Sequence, residues 1–320
     1  MTGPRTSPCP ACGHGDYKSL FHGTDRLYGT TDRSFTVVEC SQCRLLRLFP
    51  QPEPGELAGY YPANYWFNPA AGAASSLEER YRRFVLGDHV RFVEGAIEAA
   101  GERGPILDVG CGGGLFLRLL RERGHRVIGL DFSLDAARVA WRQNRVPALC
   151  ATLTRAPLPP RTFSTITMFH VLEHLYDPIG YCDAARELLR DDGRLVIQVP
   201  NAGCWQFLLF GEHWNGIDIP RHLINFKEKD LVNLLDVCGF EVVRRKHFSL
   251  RDNPAGLATT LAVGLDPMAR RIRAQQESPR QRLFKDAVYF SLMMACLLPT
   301  AVEAACRAGS TIMVEARKKR

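Results

Sequence analysis

Residues 106–114 read "ILDVGCGGG", and this stretch decides the fold. An apolar run that ends at Val109 predicts a strand, and Gly110, Gly112 and Gly114 follow in G-x-G-x-G order before a helix predicted from Leu115. Glycine lets the backbone turn sharply, and the missing Cβ lets a ligand lie against it. A strand, a glycine-rich turn and a helix in this order are typical of a cofactor-binding β-α-β unit.

Two acidic residues flank this loop. Asp108 lies two residues before Gly110, and Asp131 closes the next predicted strand, about twenty residues after the first glycine. A nicotinamide dinucleotide site would have G-x-G-x-x-G, but Leu115 occupies the third glycine position. The upstream carboxylate suits a ligand with a cationic amino group, such as S-adenosylmethionine, and the downstream carboxylate can accept both ribose hydroxyls.

Strand and helix patterns alternate along the rest of the chain. The patterns predict strands over 105–110, 126–131, 146–150, 163–170, 194–200, 241–248 and 311–318, and helices over 115–124, 133–144, 177–193 and 227–240. This alternation predicts an α/β fold with an open, mainly parallel sheet covered on both faces. In such sheets ligands bind at the carboxyl ends of the strands.

These motifs resemble the class I S-adenosylmethionine-dependent methyltransferases, roughly over residues 80–250 and the last strand. The resemblance implies a Rossmann-like seven-stranded methyltransferase sheet and a set of cofactor contacts. It assigns the methionine part to Asp108, Gly110, Cys111, Gly112 and Gly114, the ribose to Asp131, and the adenine to Phe132, Thr152 and Leu153. Thr152 stands where the family often has an acidic residue, and Ser164 stands where it usually has Asp.

Residues 170–174 read "HVLEH", which matches the H-x-x-E-H ligand order of one group of zinc peptidases. The segment follows a predicted strand, and no helix long enough to present such ligands is expected there. By the resemblance, it lies beside the sulfonium and the acceptor, and His170 lines the cofactor pocket. Glu173 and His174 then either hold the loop in place or face the acceptor as a base or as metal ligands.

A second histidine motif follows the predicted strand 194–200. Residues 220–226, "PRHLINF", resemble the P-x-H-x-x-x-F element of these methyltransferases. His222 is the preferred general base because an imidazole titrates near neutral pH. The alternative is a histidine that braces the following helix.

Four cysteines near the N-terminus form two C-x2-C pairs, "CPAC" at 9–12 and "CSQC" at 40–43. Two such pairs supply four thiolates in a tetrahedral array, so a structural Zn²⁺ is predicted on Cys9, Cys12, Cys40 and Cys43. The segment resembles the zinc ribbon that precedes many bacterial methyltransferases. Three tyrosines after it either fold over the cofactor or acceptor or join this module to the main domain: Tyr60, Tyr61 and Tyr65.

Four regions are predicted from these patterns: a zinc-ribbon module over 1–68, a linker and leading helix over 69–104, a methyltransferase domain over 105–250 plus 310–320, and a helical insertion over 251–309. Within the insertion, residues 287–302 carry no charge. This run is shorter than the ~20 residues needed to span a bilayer. It predicts a helical lid or core element, or else a membrane-surface or lipid-gripping element.

The predicted function is methyl transfer from S-adenosylmethionine to O or C of a small-molecule, sugar-derived or lipid-like acceptor. One alternative is an RNA methyltransferase that grips nucleic acid with the ribbon. The net charge of +7 allows an anionic partner, but the ribbon segment is not markedly basic and lacks the aromatic interleaving of RNA platforms, which argues against nucleic acid.

The other alternative is a non-catalytic binding protein with the same fold, and the intact loop and both acids argue against it. The N-terminus carries no apolar stretch typical of a signal peptide, so we expect a cytoplasmic protein, with peripheral membrane contact left open. The sequence does not indicate the oligomeric state.

Overall fold

The computed structural model describes residues 8–61, 73–101 and 104–319. The N-terminal module contains three antiparallel strands, β1 (Tyr17–Gly23), β2 (Phe35–Cys40) and β3 (Leu46–Phe49), followed by the short helix α1 (Pro54–Gly59). Residues 62–72, which include Tyr65 and most of the predicted linker, lie outside the described residues. The leading helix, α2, covers Ala73–Ala99.

The main sheet has seven strands among the described residues: β4 (Ile106–Val109), β5 (Val127–Asp131), β6 (Ala148–Cys150), β7 (Phe163–Phe169), β8 (Leu189–Pro200), β10 (Phe240–Lys246) and β11 (Thr311–Lys318). Their order in the sheet is β6-β5-β4-β7-β8-β11-β10. The first five are parallel, and β11 runs antiparallel to both of its neighbours. The predicted Rossmann-like seven-stranded α/β sheet is confirmed.

Helices follow the strands at the four predicted positions: α3 (Leu115–Glu122), α4 (Leu134–Asn144), α5 (Pro178–Leu188) and α7 (Glu228–Val237). The short helix α6 (Trp205–Phe210), after β8, was not predicted. The central strands are mostly buried because helices cover both faces, and residues such as Leu107, Ile166 and Ile197 are fully buried. Strand order reverses between β4 and β7, so the loops after these two strands diverge and leave a crevice at the carboxyl edge.

Several predicted helices end earlier than expected, and the largest difference is in α5. The helix predicted over 227–240 ends at Val237, and Phe240 belongs to β10. The helix predicted over 177–193 ends at Leu188, and residues 190–193 belong to β8. Here tertiary pairing overrides local helix propensity: Leu189 is buried and pairs with Phe163, and the carbonyls of Glu187 and Leu188 accept N–H groups from the loop before β7.

The predicted insertion between the last two strands is helical. It contains α8 (Asn253–Leu261), α9 (Pro267–Ile272), α10 (Pro279–Ala295) and α11 (Leu297–Ala305). By length and composition, the 27-residue stretch Pro279–Ala305 is long and apolar enough to cross a membrane, and its most apolar 18-residue window has a mean hydropathy of 1.6. Only 28% of its most apolar window is buried.

A short strand, β9 (Ile224–Asn225), joins the two parts of the molecule. It pairs antiparallel with β3, where Leu46 lies opposite Asn225 and Arg47 opposite Ile224. The N-terminal sheet therefore has the order β1-β2-β3-β9, with its last strand supplied by the segment that follows β8. The N-terminal module is hydrogen-bonded into the main domain by this pairing.

Candidate cofactor and acceptor site

The glycine loop after β4 opens onto the crevice. Gly110 has a left-handed backbone (φ 74°), and a Cβ there would lie 2.7 Å from Val171 Cγ2, so only glycine fits. Gly112 is also left-handed (φ 51°), but a Cβ there would meet no atom within 4 Å. Its backbone therefore faces open space that a ligand can enter, while Gly114 begins α3 as the N-cap residue.

Asp108 places a buried carboxyl beside this loop. The residue is 4% exposed, and Thr167 Oγ1 on β7 donates a 2.6 Å hydrogen bond to its Oδ1. Burial raises the pKa of Asp108 to about 7, against the lowering effect of the Thr167 hydrogen bond. A nearby cationic group would stabilise the ionised carboxylate, so the site fits a ligand with a positive charge.

Asp131, at the end of β5, binds the loop itself. Its Oδ2 accepts the Gly112 N–H at 2.9 Å and its Oδ1 accepts the Ser133 N–H at 2.8 Å. Burial raises the pKa of Asp131, and these two N–H groups oppose that rise. The carboxylate thus fixes the shape of the glycine loop, and each of its oxygens retains a second lone pair for a ligand hydroxyl.

The residues predicted to contact adenine occupy different environments. The ring of Phe132 is 57% exposed, whereas Leu153 is buried and Thr152 is half-buried before a short 3₁₀ turn. The side chain of Cys111 turns away from the crevice and packs in the core, where it excludes any side chain at Gly129. Cys111 can therefore face a ligand only through its backbone.

His170 follows β7 at the crevice with a left-handed backbone (φ 56°), an uncommon conformation for a residue with a Cβ. Its ring lies between two carboxylates: Nδ1 is 3.1 Å from Glu173 Oε1, and Nε2 is 3.7 Å from Asp252 Oδ2. Burial lowers the pKa of His170, but these two acids outweigh it and raise the pKa to about 9. Gln198 Nε2 completes the group with a 2.7 Å hydrogen bond to Asp252.

The two histidine motifs meet in space. The Leu223 N–H donates to the Glu173 carbonyl at 2.8 Å, and the rings of His174 and His222 lie 4.7 Å apart in an edge-to-face contact. Candidate ligand atoms of Glu173, His174 and His222 all lie within 4.8 Å of one another. The 3₁₀ turn Leu172–His174 replaces the helix that a zinc peptidase would need.

Backbone carbonyls set the protonation of both rings. His222 Nδ1 is 2.8 Å from the Gly216 carbonyl, and His174 Nδ1 is 3.0 Å from the Arg221 carbonyl. Because a carbonyl only accepts, each Nδ1 carries a hydrogen, and in the neutral ring Nε2 keeps the lone pair. Burial and the neighbouring His222 lower the pKa of His174 to about 4, so His174 is neutral near pH 7.

Two tyrosines after the N-terminal module have different roles. The Tyr61 hydroxyl lies 2.9 Å from His174 Nδ1, and its ring lies 6.0 Å from Phe132, so Tyr61 covers the crevice. Tyr60 is buried and donates to Glu56 within the module at 2.6 Å, and its backbone carbonyl accepts a 3.2 Å hydrogen bond from Arg221 of the main domain.

A buried arginine holds the loop that carries His222. Arg221 is fully buried, and its guanidinium donates to both carboxylate oxygens of Asp25 in the N-terminal module and to Asp218 in its own loop. It also donates to the Tyr60 carbonyl at 3.2 Å and lies over the Tyr28 ring. The position of His222 therefore depends on the N-terminal module.

The four N-terminal cysteines come together as predicted. The Sγ atoms of Cys9 and Cys43 are 3.6 Å apart, as are those of Cys12 and Cys40, and all four lie within 4.8 Å of one another. A tetrahedral Zn²⁺ with bonds of about 2.3 Å places its sulfurs about 3.8 Å apart, so the cluster fits zinc.

Each cysteine pair forms the same turn. The Gly13 N–H donates to the Cys9 carbonyl, and the Arg44 N–H donates to the Cys40 carbonyl, at 2.8 and 3.1 Å. Gly13 and Arg44 both have left-handed backbones.

Comparison with known families agrees with this geometry. A family model described as a methyltransferase domain matches residues 77–245, which hold α2, the glycine loop, both acids and both histidine motifs. This chain belongs to the methyltransferase family. The match leaves the cysteine module and the helical insertion outside the common domain.

Curated relatives of this methyltransferase match over part of the chain. A probable S-adenosylmethionine-dependent methyltransferase of Mycolicibacterium smegmatis is 30% identical over 138 residues, covering 43% of this chain and 52% of the relative. A ubiquinone biosynthesis O-methyltransferase of Idiomarina loihiensis is 28% identical over 148 residues, covering 42% and 61%. The chain thus spans about half the length of the curated relatives it matches.

Among solved structures, a SAM-dependent methyltransferase from Archaeoglobus fulgidus is similar, with a TM-score of 0.48 and 17% identity. The similarity covers 77% of this chain and all of that one.

The methyltransferase site also uses residues that the sequence patterns did not single out. Thr167 bonds Asp108, Asp252 and Gln198 surround His170, and Asp25 holds Arg221. Arg221 lies inside the motif "PRHLINF", next to His222, so the motif that pointed to His222 could also have pointed to Arg221. The remaining four reach the site from other strands or loops and carry no local motif.

Proposed function

We propose that this protein transfers the methyl group of S-adenosylmethionine to an oxygen or carbon atom of a small-molecule, sugar-derived or lipid-like acceptor. The observation that carries this proposal is the placement of Asp108, with its buried carboxyl beside the open backbone of Gly112. Asp131 ends the neighbouring strand and shapes the same loop. Asp108 can bind a cationic amino group, and the Gly112 backbone leaves room for the ligand. Asp131 can accept hydrogen bonds from a ribose diol.

The cofactor supplies an activated methyl group, so the protein's task is mainly to align donor and acceptor. Asp108 and the loop of Gly110, Cys111, Gly112 and Gly114 would hold the methionine part, with Asp131 on the ribose. Phe132, Thr152, Leu153 and His170 would border the rest of the cofactor. The exposure of Phe132 and the open space at Gly112 support these assignments.

His222 is the proposed general base for a hydroxyl or acidic carbon. Its Nδ1–H is held by the Gly216 carbonyl, which leaves Nε2 as the proton acceptor. His174 serves this role less well because its lowered pKa of about 4 makes it a weak base at neutral pH. His174 and Glu173 then position the His222 loop through their contacts with the 221–223 backbone.

The same cluster supports a second role, as a divalent cation site. Glu173 Oε2 is buried and has no hydrogen-bond partner in the described part of the chain, and its lone pairs lie near two histidines. Titration of Mg²⁺ or Mn²⁺ into protein that holds only zinc, followed by calorimetry, tests this role. Binding heat that is present in the wild type and absent in Glu173→Gln would show a cation site. If the wild-type protein gives no binding heat, only the general-base mechanism remains.

The acceptor class draws on the relatives. The names of the ubiquinone biosynthesis O-methyltransferases describe transfer to oxygen of a small molecule, which supports a hydroxyl acceptor here.

We assign a structural Zn²⁺ to the four N-terminal cysteines, within a ribbon module over 1–68. We further propose a reducing compartment such as the cytoplasm, where the four cluster thiolates bind zinc and the other seven cysteines stay as thiols.

Methyl-labelled S-adenosylmethionine, incubated with the protein and a fractionated bacterial extract, tests the proposal. We expect label in a small-molecule or lipid fraction with wild-type protein and none with Asp108→Asn. Label in RNA would instead identify a nucleic-acid acceptor. Failure of the wild-type protein to bind S-adenosylmethionine in calorimetry would contradict transferase function altogether.

A further inference from the structure

One face of the helical insertion is apolar and exposed. Along α10 and α11, large apolar side chains are exposed, most of them four or seven residues from another member of the set, and two are more than 70% exposed: Leu283, Phe284, Val288, Phe290, Met294, Leu298 and Val302. We call this row the insertion face. It continues over residues 287–302 without a charged residue.

The opposite side of the same helices is fixed to the protein. Met293, Cys296 and Ala258 of α8 form a small buried core, and Tyr81 of α2 bonds Met293. Glu303 is buried and accepts two hydrogen bonds from Gln206, at 3.0 and 2.7 Å. One side of the stretch is therefore packed against the domain and the other side is exposed, which favours binding along a surface over crossing a bilayer.

The Gln206–Glu303 bonds also bring α6 against α11. This short helix adds three exposed apolar side chains, Trp205, Leu208 and Leu209, of which Leu208 is 82% exposed. Exposed large apolar side chains clustered on neighbouring helices are a feature of binding surfaces.

The charged residues at the ends of the insertion face indicate the kind of partner. Arg280 and Arg282 are exposed at the start of α10, and Arg307 is exposed just after α11, so arginines stand at both ends of the insertion face. The acids of these helices are engaged: Asp286 pairs with Arg270 and, at 4.0 Å, with the largely exposed Arg282, and Glu303 is buried against Gln206. An apolar face bordered by cations matches a bilayer with anionic headgroups, where arginines meet phosphates and the apolar side chains enter the acyl boundary.

We propose that the insertion face, together with α6, binds the surface of an anionic lipid bilayer. The helices lie in the plane of the membrane, with Leu283, Phe284 and Leu298 inserted and the arginines at headgroup level. Since α6 follows β8 at the carboxyl edge, this orientation also turns the acceptor side of the crevice toward the lipid. That last consequence rests on the proposed function, whereas bilayer binding does not.

Sedimentation of the full-length protein with vesicles tests the proposal. We expect binding to vesicles of phosphatidylglycerol and phosphatidylcholine in equal parts, and much weaker binding to phosphatidylcholine alone. Phe284→Gln with Leu298→Gln should weaken binding about tenfold or more, because two large apolar side chains no longer leave water. Arg280→Gln with Arg282→Gln should weaken binding only to the anionic vesicles.

Val237→Gln is the matched control, because Val237 is equally exposed on α7, outside the insertion face. This variant should bind vesicles like the wild type. No sedimentation of wild-type protein with either vesicle would overturn the proposal. The wild type could also self-associate in size-exclusion chromatography and not bind vesicles. If the Phe284 and Leu298 variant then loses this self-association, the proposal is overturned and the partner is a second copy. Methyl transfer is not measured, so these outcomes are independent of the proposed activity.

Discussion

Arg221, one residue before the proposed base, donates two hydrogen bonds to Asp25 of the N-terminal module, at 2.9 and 2.7 Å. Both side chains are completely buried. The guanidinium lowers the pKa of Asp25 to about 2, against the opposing effect of burial. The module and the His222 loop are therefore held together by one buried, bidentate ion pair.

Removing this arginine should destabilise the protein strongly. Arg221→Met leaves Asp25 and Asp218 without their cation, and breaking a buried pair costs about 3–5 kcal/mol. Denaturant unfolding measures the loss. Arg317→Met, at the exposed Arg317–Glu241 pair, is the matched control and should cost about 0–1 kcal/mol. Equal losses in the two variants would contradict a special role for the buried pair.

His222→Ala should lower turnover about 100-fold or more while leaving S-adenosylmethionine affinity unchanged, because the base acts on the acceptor. Initial rates with an identified acceptor, together with calorimetry of the cofactor, separate the two effects. His213→Ala removes a histidine that is 65% exposed and should leave both quantities unchanged. Wild-type turnover in His222→Ala would remove this residue from the mechanism.

Cofactor affinity should depend on pH through Asp108. Its pKa is raised to about 7, so the carboxyl is ionised above that pH and neutral below it. Only the ionised form attracts the cofactor's ammonium group, so affinity should fall about tenfold from about pH 8 to about pH 6.

Calorimetry at several pH values measures this dependence. Asp108→Asn should bind weakly and without this pH dependence, and Asp135→Asn, at an exposed acid of α4, should keep the wild-type profile. A flat wild-type profile would show that Asp108 is ionised throughout or does not contact the ammonium.

Zinc should be required for folding of the N-terminal module. Cys40→Ser replaces one thiolate of the cluster, so we expect less than one zinc per chain by elemental analysis and a lower melting temperature. Cys306→Ser changes an exposed cysteine outside the cluster and should keep full zinc content. Full occupancy and unchanged melting in Cys40→Ser would exclude a four-cysteine site.

The elements with local signals were predictable from sequence. The glycine loop, the two acids after β4 and β5, and the two cysteine pairs each occupy one short stretch, and periodicity marked most strands and helices. The end of α5 was not predictable, because Leu189 is drawn into the sheet by Phe163, a partner on another strand.

Contacts between distant segments within the site were also not predictable from the sequence. Asp25 looks like an ordinary loop residue, and only the fold brings it to Arg221. Likewise, Asp252 opens the insertion without any motif, yet it lies beside His170. Chemistry can be read from residue type and spacing, but loop-to-loop pairing depends on the path of the whole chain.

The pairing of β3 with β9 also constrains the order of folding. Arg47 and Ile224 are partners that lie far apart in sequence, so this contact closes a long loop and is slow to form compared with local structure. During synthesis the N-terminal strands emerge first and must wait, with one edge unpaired, until residues 224–225 leave the ribosome. Early metal capture would stabilise those strands, and the loop bearing His222 would acquire its native position only once this pairing has formed.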